Sequence, residues 1–174
     1  MSLDIALRGG SVAVIDLINR DNDTQFKETD WVFGNPVVSR INDRNTKVVL
    51  TATDALQVEG SRTIYYDRID ISDYMTRLWG SEIPRVDIFN LSQLHQIIDT
   101  LNWEYSLSLT TDDFDDVVLD KGNVTQLVNL TIKSSSLVYL GSLQVELINV
   151  DFTKARKSGD RYRVTSDGHL RLTI

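Results

Sequence analysis

A chain of 174 residues, 41% hydrophobic and 25% charged, has enough apolar material for an ordinary folded core, and its two prolines and nine glycines exclude a low-complexity polymer. It contains no cysteine, which excludes disulfides and thiolate metal sites and fits a reducing compartment. A net charge of −7 argues against nucleic acid as a partner, and no apolar run approaches the roughly 20 residues of a membrane helix.

Taken in chain order, the opening MSLDIALRGG lacks the basic start and long apolar run of a secretion signal. Leu3 to Leu7 reads as a short strand or extended lead-in. A helix is expected from about Ser11, with Val14, Ile15 and Ile18 on one face, ending at Asn19, because Asn tolerates the left-handed conformation that closes a helix. After a polar segment ending in Thr29-Asp30, Lys47 to Thr53 and Thr63 to Ile71 read as strands. Ser72 to Arg85, with Gly80 and Pro84, reads as a connection. Val86 to Phe89 is a second extended lead-in. Asn90 and Gln93 have capping-box spacing before Leu91, Leu94, Ile97, Ile98 and Leu101, which predicts a helix over 91–101 closing at Asn102. Gln126 to Lys133 and Leu143 to Phe152 read as further strands.

The C-terminus alternates Tyr162 and Val164 before Ser166-Asp167-Gly168, then Leu170, Leu172 and Ile174 after it. A three-residue loop with Gly168 left-handed keeps these apolar residues on one face, whereas a two-residue loop would set Val164 opposite Arg171.

The two halves repeat. Leu3 to Asn19 aligns with Val86 to Asn102 at an offset of 83, placing Asp4 on Asp87, Ile15 on Ile98, Asp16 on Asp99 and Asn19 on Asn102. The register holds to Asp30 and Asp113 and then shortens by three, so that Val48-Leu50-Thr51 matches Val128-Leu130-Thr131. After one more residue Gly60-Ser61 matches Gly141-Ser142. The expected architecture is therefore α+β and β-rich, with two tandem diverged modules at 1–83 and 84–153. Each module has one short helix and antiparallel strands, and a basic hairpin follows at 154–174.

Charge is unevenly spread. Lys154, Arg156, Lys157, Arg161, Arg163 and Arg171 face only Asp160 and Asp167, so this segment carries +4 of a total of −7 and the remainder carries −11. An acidic body with a basic end suggests contact between copies of the chain. Two arrangements are open: the hairpin reaches a neighbour, or it folds onto its own body. Trp79 and Tyr74, in the connection beside Gly80, either anchor a partner or fill the seam between the modules. The expected interface residues are thus Trp79, Tyr74, Lys154, Arg156, Lys157, Arg161, Tyr162, Arg163 and Arg171.

Chemistry is sparse. Asp112, Asp113, Asp115, Asp116 and Asp120 form the densest constellation, but their spacing lacks the central glycine and terminal glutamate of a calcium loop. Capping of a turn by Thr110 or Thr111 is the simpler reading. The only histidines are His95 and His169, with no nucleophile elbow or phosphate-binding glycine loop nearby. No cofactor, metal or catalytic residue is expected. Trp31 and Trp103 to Tyr105 read as core.

The run Leu101-Asn102-Trp103-Glu104-Tyr105-Ser106-Leu107-Ser108-Leu109-Thr110-Thr111-Asp112-Asp113 resembles a phrase common in virion structural proteins of large tailed bacteriophages. Asn45 to Ala52, Gly60-Ser61 and Tyr65 to Ile71 are similar to repeated modules in such proteins. The resemblance implies a non-enzymatic, protein-binding part of a particle and does not distinguish tail from head; a tail or baseplate subunit is the favoured expectation and a head decoration protein the alternative. It would assemble in the host bacterial cytoplasm with copies of itself and other virion proteins. A glycan-binding module using Trp103, Tyr105 and the acidic cluster is the competing reading.

Overall fold

The computed structural model describes residues 9–54 and 59–150, together with the backbone of 157–158 and 161–162. The fold is mixed α+β and β-rich. Helix α1 (Gly10–Asn22) packs Val14, with Leu17 and Ile18, against a first sheet. That sheet comprises β1 (Trp31–Phe33), β2 (Val37–Val38), β3 (Thr46–Ala52) and β4 (Ser61–Tyr66). β3 is central: β1 and β2 lie antiparallel along one edge and β4 along the other. Its alternation buries Thr46, Val48 and Leu50 and turns Val49 and Thr51 to solvent.

A short strand β5 (Ile69–Asp70) leads into helix α2 (Ile71–Trp79), where the sequence predicts a connection. The helical signals are local and complete. Asp70 caps it, accepting from Ser72 and Asp73 N–H, and Gly80 closes it with φ 74°. Ile71 and Met75, one turn apart, enter the larger core.

The second sheet is β6 (Arg85–Asp87), β9 (Ser142–Ile148) and β7 (Thr125–Thr131), with β6 parallel and β7 antiparallel to β9. The helix expected at 91–101 begins later and ends later. Gln93 bridges Val118, Leu94 N–H donates to Val117 O, and a 3-10 turn at Leu94–Ile97 precedes α3 (Ile98–Tyr105). Residues 92–94 are held extended against 117–119, so the cap is Gln96 Oε1 accepting from Gln93 N–H rather than the Asn90–Gln93 box.

The asparagines do not close their helices. The left-handed residues are Asp23 (φ 54°) and Ser106 (φ 52°), again 83 apart. Asn19 instead holds Phe26, its Oδ1 accepting from the Phe26 N–H and its Nδ2 donating to the Phe26 carbonyl, both at 2.8 Å. Asn102 does the same to Leu109. Further on, Asp30 accepts from Lys27 N–H as Asp113 accepts from Thr110 N–H. Thr53 N–H reaches Asp30 O as Lys133 N–H reaches Asp113 O, and Ala52 N–H reaches Gly60 O as Ile132 N–H reaches Gly141 O. The offsets of 83, 80 and 81 are those of the sequence repeat.

The two halves meet through a strand, β8 (Tyr139–Leu140), that pairs in parallel with β5. Beside it the Tyr66 hydroxyl donates to Leu137 O at 2.8 Å, and burial pushes that hydroxyl's pKa up to about 12, against the pull of Arg68. Arg68, itself buried, donates to Thr46 Oγ1 and to the Ser134 and Ser136 carbonyls. At the far end β10 (Lys157–Ser158) pairs with β11 (Arg161–Tyr162), Lys157 opposite Tyr162. The expected turn at 166–168, its partner strand at 170–174 and the lead-in at 3–7 lie outside the described residues.

Candidate protein interface

Directly opposite residues on paired strands share a sheet face. On the outer face of the first sheet, Val32 lies opposite Thr51, Val37 opposite Lys47, and Tyr65 and Thr63 opposite Lys47 and Val49. Val32, Val37 and Val49 are 59%, 52% and 45% exposed, while Val38, exposed at the sheet edge, lies opposite the buried Thr46 and so on the other face.

The second sheet provides an internal control. Its register aligns Asn129–Gln144 with Val49–Thr63 and Leu127–Glu146 with Lys47–Tyr65. The bridge Phe114–Ile132 corresponds to the pair Trp31–Ala52, which sets Asp115 where the first half has Val32. The same architecture therefore holds Asp, Asn and Glu at three positions where the first half holds Val, Val and Tyr, and the exposed Leu127 at the one where it holds Lys47. Folding does not demand apolar residues there. The valines of the first half thus stand in water at positions where the equivalent backbone carries polar residues, and grouped apolar exposure of this kind is a feature of contact surfaces.

A model of a protein family of unknown function, DUF7941, matches residues 8–152. The chain belongs to the DUF7941 family. No curated protein matches the chain, and no solved structure matches it.

Of the interface residues expected from sequence, the DUF7941 chain brings Trp79 and Tyr74 together at the α2–α3 contact. The Trp79 ring stands edge-on to Tyr105 at 5.5 Å between centroids, and the Tyr74 hydroxyl donates to Ser106 O. Both therefore contribute to a seam, although Trp79 remains 44% exposed. Lys154, Arg156, Arg163 and Arg171 lie outside the described residues. Lys157, Arg161 and Tyr162 are placed by backbone alone, in the β10–β11 pair. Trp103, expected in the core, is 87% exposed on α3, one turn beyond the exposed Asp99. The sequence reading also missed β1, β2 and the valine face they build. Its only local signal is the alternation around Val49, because strands of two and three residues carry too little pattern.

The aspartate cluster is divided by burial. Asp113 is 3% exposed and fully engaged: one carboxylate oxygen accepts from Thr110 N–H at 2.7 Å and Thr110 Oγ1 at 2.9 Å, the other from Ser136 Oγ at 2.5 Å. Asp112, Asp115, Asp116 and Asp120 are exposed, with Asp115 bridged to Lys133 at 3.4 Å. Asp116 accepts from the backbone N–H of His95 and contacts His95 Nδ1 at 2.8 Å, and these bonds hold its carboxyl below the usual range. Among the described residues no group of three or more His, Cys, Asp or Glu is placed to hold a metal ion. The cluster's chemistry is thus turn closure at Asp113 and a solvated acidic ridge around the exposed Val117 and Val118.

Proposed function

We propose that this chain is a non-enzymatic structural subunit of a bacteriophage virion, in the tail or baseplate, that acts through protein–protein contacts on the outer face of its first sheet. The observation that carries this reading is the contrast between the valine face and its polar counterpart in the second half. Supporting it, the buried ionisable groups are held in structural bonds: Asp113 closes a turn and Arg68 clamps the 134–136 loop. The virion assignment rests on the resemblance of 101–113, with other virion proteins and further copies of the chain as partners and assembly in the host cytoplasm.

The test is incorporation. Purified particles are digested and analysed by mass spectrometry, with the natural chain and with Val49→Asn, a substitution already present at the equivalent Asn129. The chain is expected in particles, and the variant is expected to be lost from them at an unchanged urea midpoint. A chain absent from particles, or a variant incorporated at the natural level, would overturn the reading.

Trp103 favours a second reading. An indole 87% exposed, with Asp99 one turn away, is a platform for a sugar ring. Binding on a glycan array that Trp103→Ala abolishes would support a recognition module instead.

A further inference from the structure

The valine face differs from the rest of the described surface in charge as well as polarity. Between Val32 and Val49 lie Arg40, Arg44 and Lys47 against the single acid Asp43. Arg44 is paired with Asp67 at 2.7 Å, which leaves Lys47, opposite Val37, and the exposed Arg40, two residues after Val38 in the chain. Over 84–150, by contrast, nine acidic residues face three basic ones. There Phe89, Trp103 and Leu127 are exposed singly, while Val117 and Val118, the latter 77% exposed, form an adjacent pair flanked by Asp115, which is bridged to Lys133, by Asp116, which is bonded to His95, and by Asp120. One surface is apolar with a basic margin, and the other is apolar with an acidic margin.

Resting on the reading above that the chain works by protein contact, we propose that these two surfaces dock on one another between copies. The first-sheet face of one molecule (Val32, Val37, Val49, Lys47) covers the Val117-Val118 ridge of the next. The choice of occupant follows from charge. A competing apolar-rich occupant, the segment beyond Thr153, carries Lys154, Arg156, Lys157, Arg161, Arg163 and Arg171, and would bring like charge to Arg40 and Lys47. The acidic ridge brings opposite charge. Because the two surfaces are different patches of one molecule, the contact is head-to-tail. An open assembly of any length then retains one unfilled surface of each kind, at its two ends, and association continues until a ring closes or a filament grows.

Complementation of single-surface variants tests this directly. Light scattering on the natural chain should show mass rising with concentration and falling with salt. Val49→Asn, on the sheet, and Val118→Asp, on the ridge, should each weaken self-association by at least about tenfold, with urea midpoints confirming that both fold. Mixed together, each variant supplies the surface the other lacks, so the mixture should form a two-chain complex and nothing larger. A natural chain that stays monomeric at all concentrations, or a mixture that stays monomeric, defeats the proposal. If particles nevertheless contain the chain and exclude Val49→Asn, the structural-subunit reading survives and the valine face belongs to a different virion protein.

Discussion

The side-chain amide of Asn102 holds both main-chain groups of Leu109, accepting from its N–H at 2.8 Å and donating to its carbonyl at 2.9 Å, as Asn19 holds Phe26 seven residues on. Each bracket follows a left-handed residue, Ser106 or Asp23, and turns the chain back along its helix. An amide suits this task because it offers one acceptor and one donor side by side. We expect Asn102→Ala to cost about 1–3 kcal/mol, since two partly buried backbone groups lose their partners. Asn102→Asp keeps the acceptor but turns an oxygen toward the Leu109 carbonyl, and should cost at least as much. Urea midpoints of both variants check this, and Asn19→Ala should behave alike.

Arg68 is a buried cation that donates to neutral oxygens: Thr46 Oγ1 at 3.0 Å and the Ser134 and Ser136 carbonyls at 3.1 and 3.0 Å. Burial accordingly lowers its pKa. The planar fork spans oxygens from β3 and from the 134–136 loop, a geometry an ammonium does not reproduce. Arg68→Lys should lose about 2 kcal/mol or more, and hydrogen exchange should quicken first in the Ser134–Leu140 segment. Unchanged protection there would show that the clamp is dispensable.

Asp113 occupies the centre of the residues 110–136 contact, and Asn is the informative replacement. It retains one oxygen for either the Thr110 donors or Ser136, and presents an N–H to the other, so a loss of about 2 kcal/mol is expected. Added calcium should leave the melting temperature of the natural chain unchanged, because the nearby exposed aspartates do not converge. A rise with calcium would revive a cation site at the cluster.

Asp67 carries a signature in acid. Burial pushes its carboxyl up, but the Asn45 N–H and the Arg44 guanidinium more than reverse this and hold its pKa below the ordinary value. A depressed folded-state pKa stabilises the fold above the unfolded value of about 4, and that contribution disappears as pH falls through the folded value. Asp67→Asn should therefore lower stability at neutral pH and narrow the gap to the natural chain as the solution is acidified. Thermal melts from pH 7 to pH 3 read the difference.

The legible elements were those whose signal is local. β3 and β7 were legible from runs rich in Val, Leu and Thr, and α1 and α3 from the apolar spacing of Val14, Ile15 and Ile18 and of Ile97, Ile98 and Leu101. Helix α2 was equally local, with Asp70 and Gly80 as its caps and Ile71, Tyr74, Met75 and Leu78 at helical spacing, yet Gly80 and Pro84 drew the whole stretch into a connection. The start of α3 was not local at all: Leu94 and Gln93 are held by Val117 and Val118, more than 20 residues away. Trp103 shows the limit of composition, since an aromatic beside core residues on a short helix faces water when the helix buries its other side.

Periodicity and the residue-by-residue correspondence of the halves were enough to specify β3, β7 and β9, most of α1 and α3 and the equivalence of Asn19 with Asn102, because these depend on contacts within a few residues or on a repeated pattern. Pairing partners and exposure were not. Which strand lies beside β3, that β8 joins β5, that Arg68 clamps a loop 66 residues on, and that Val49 faces solvent while Val48 is buried all depend on long-range packing. The valine face emerged only there. A valine in a strand reads the same whether its side of the sheet is covered or open, and only the folded chain decides which side that is.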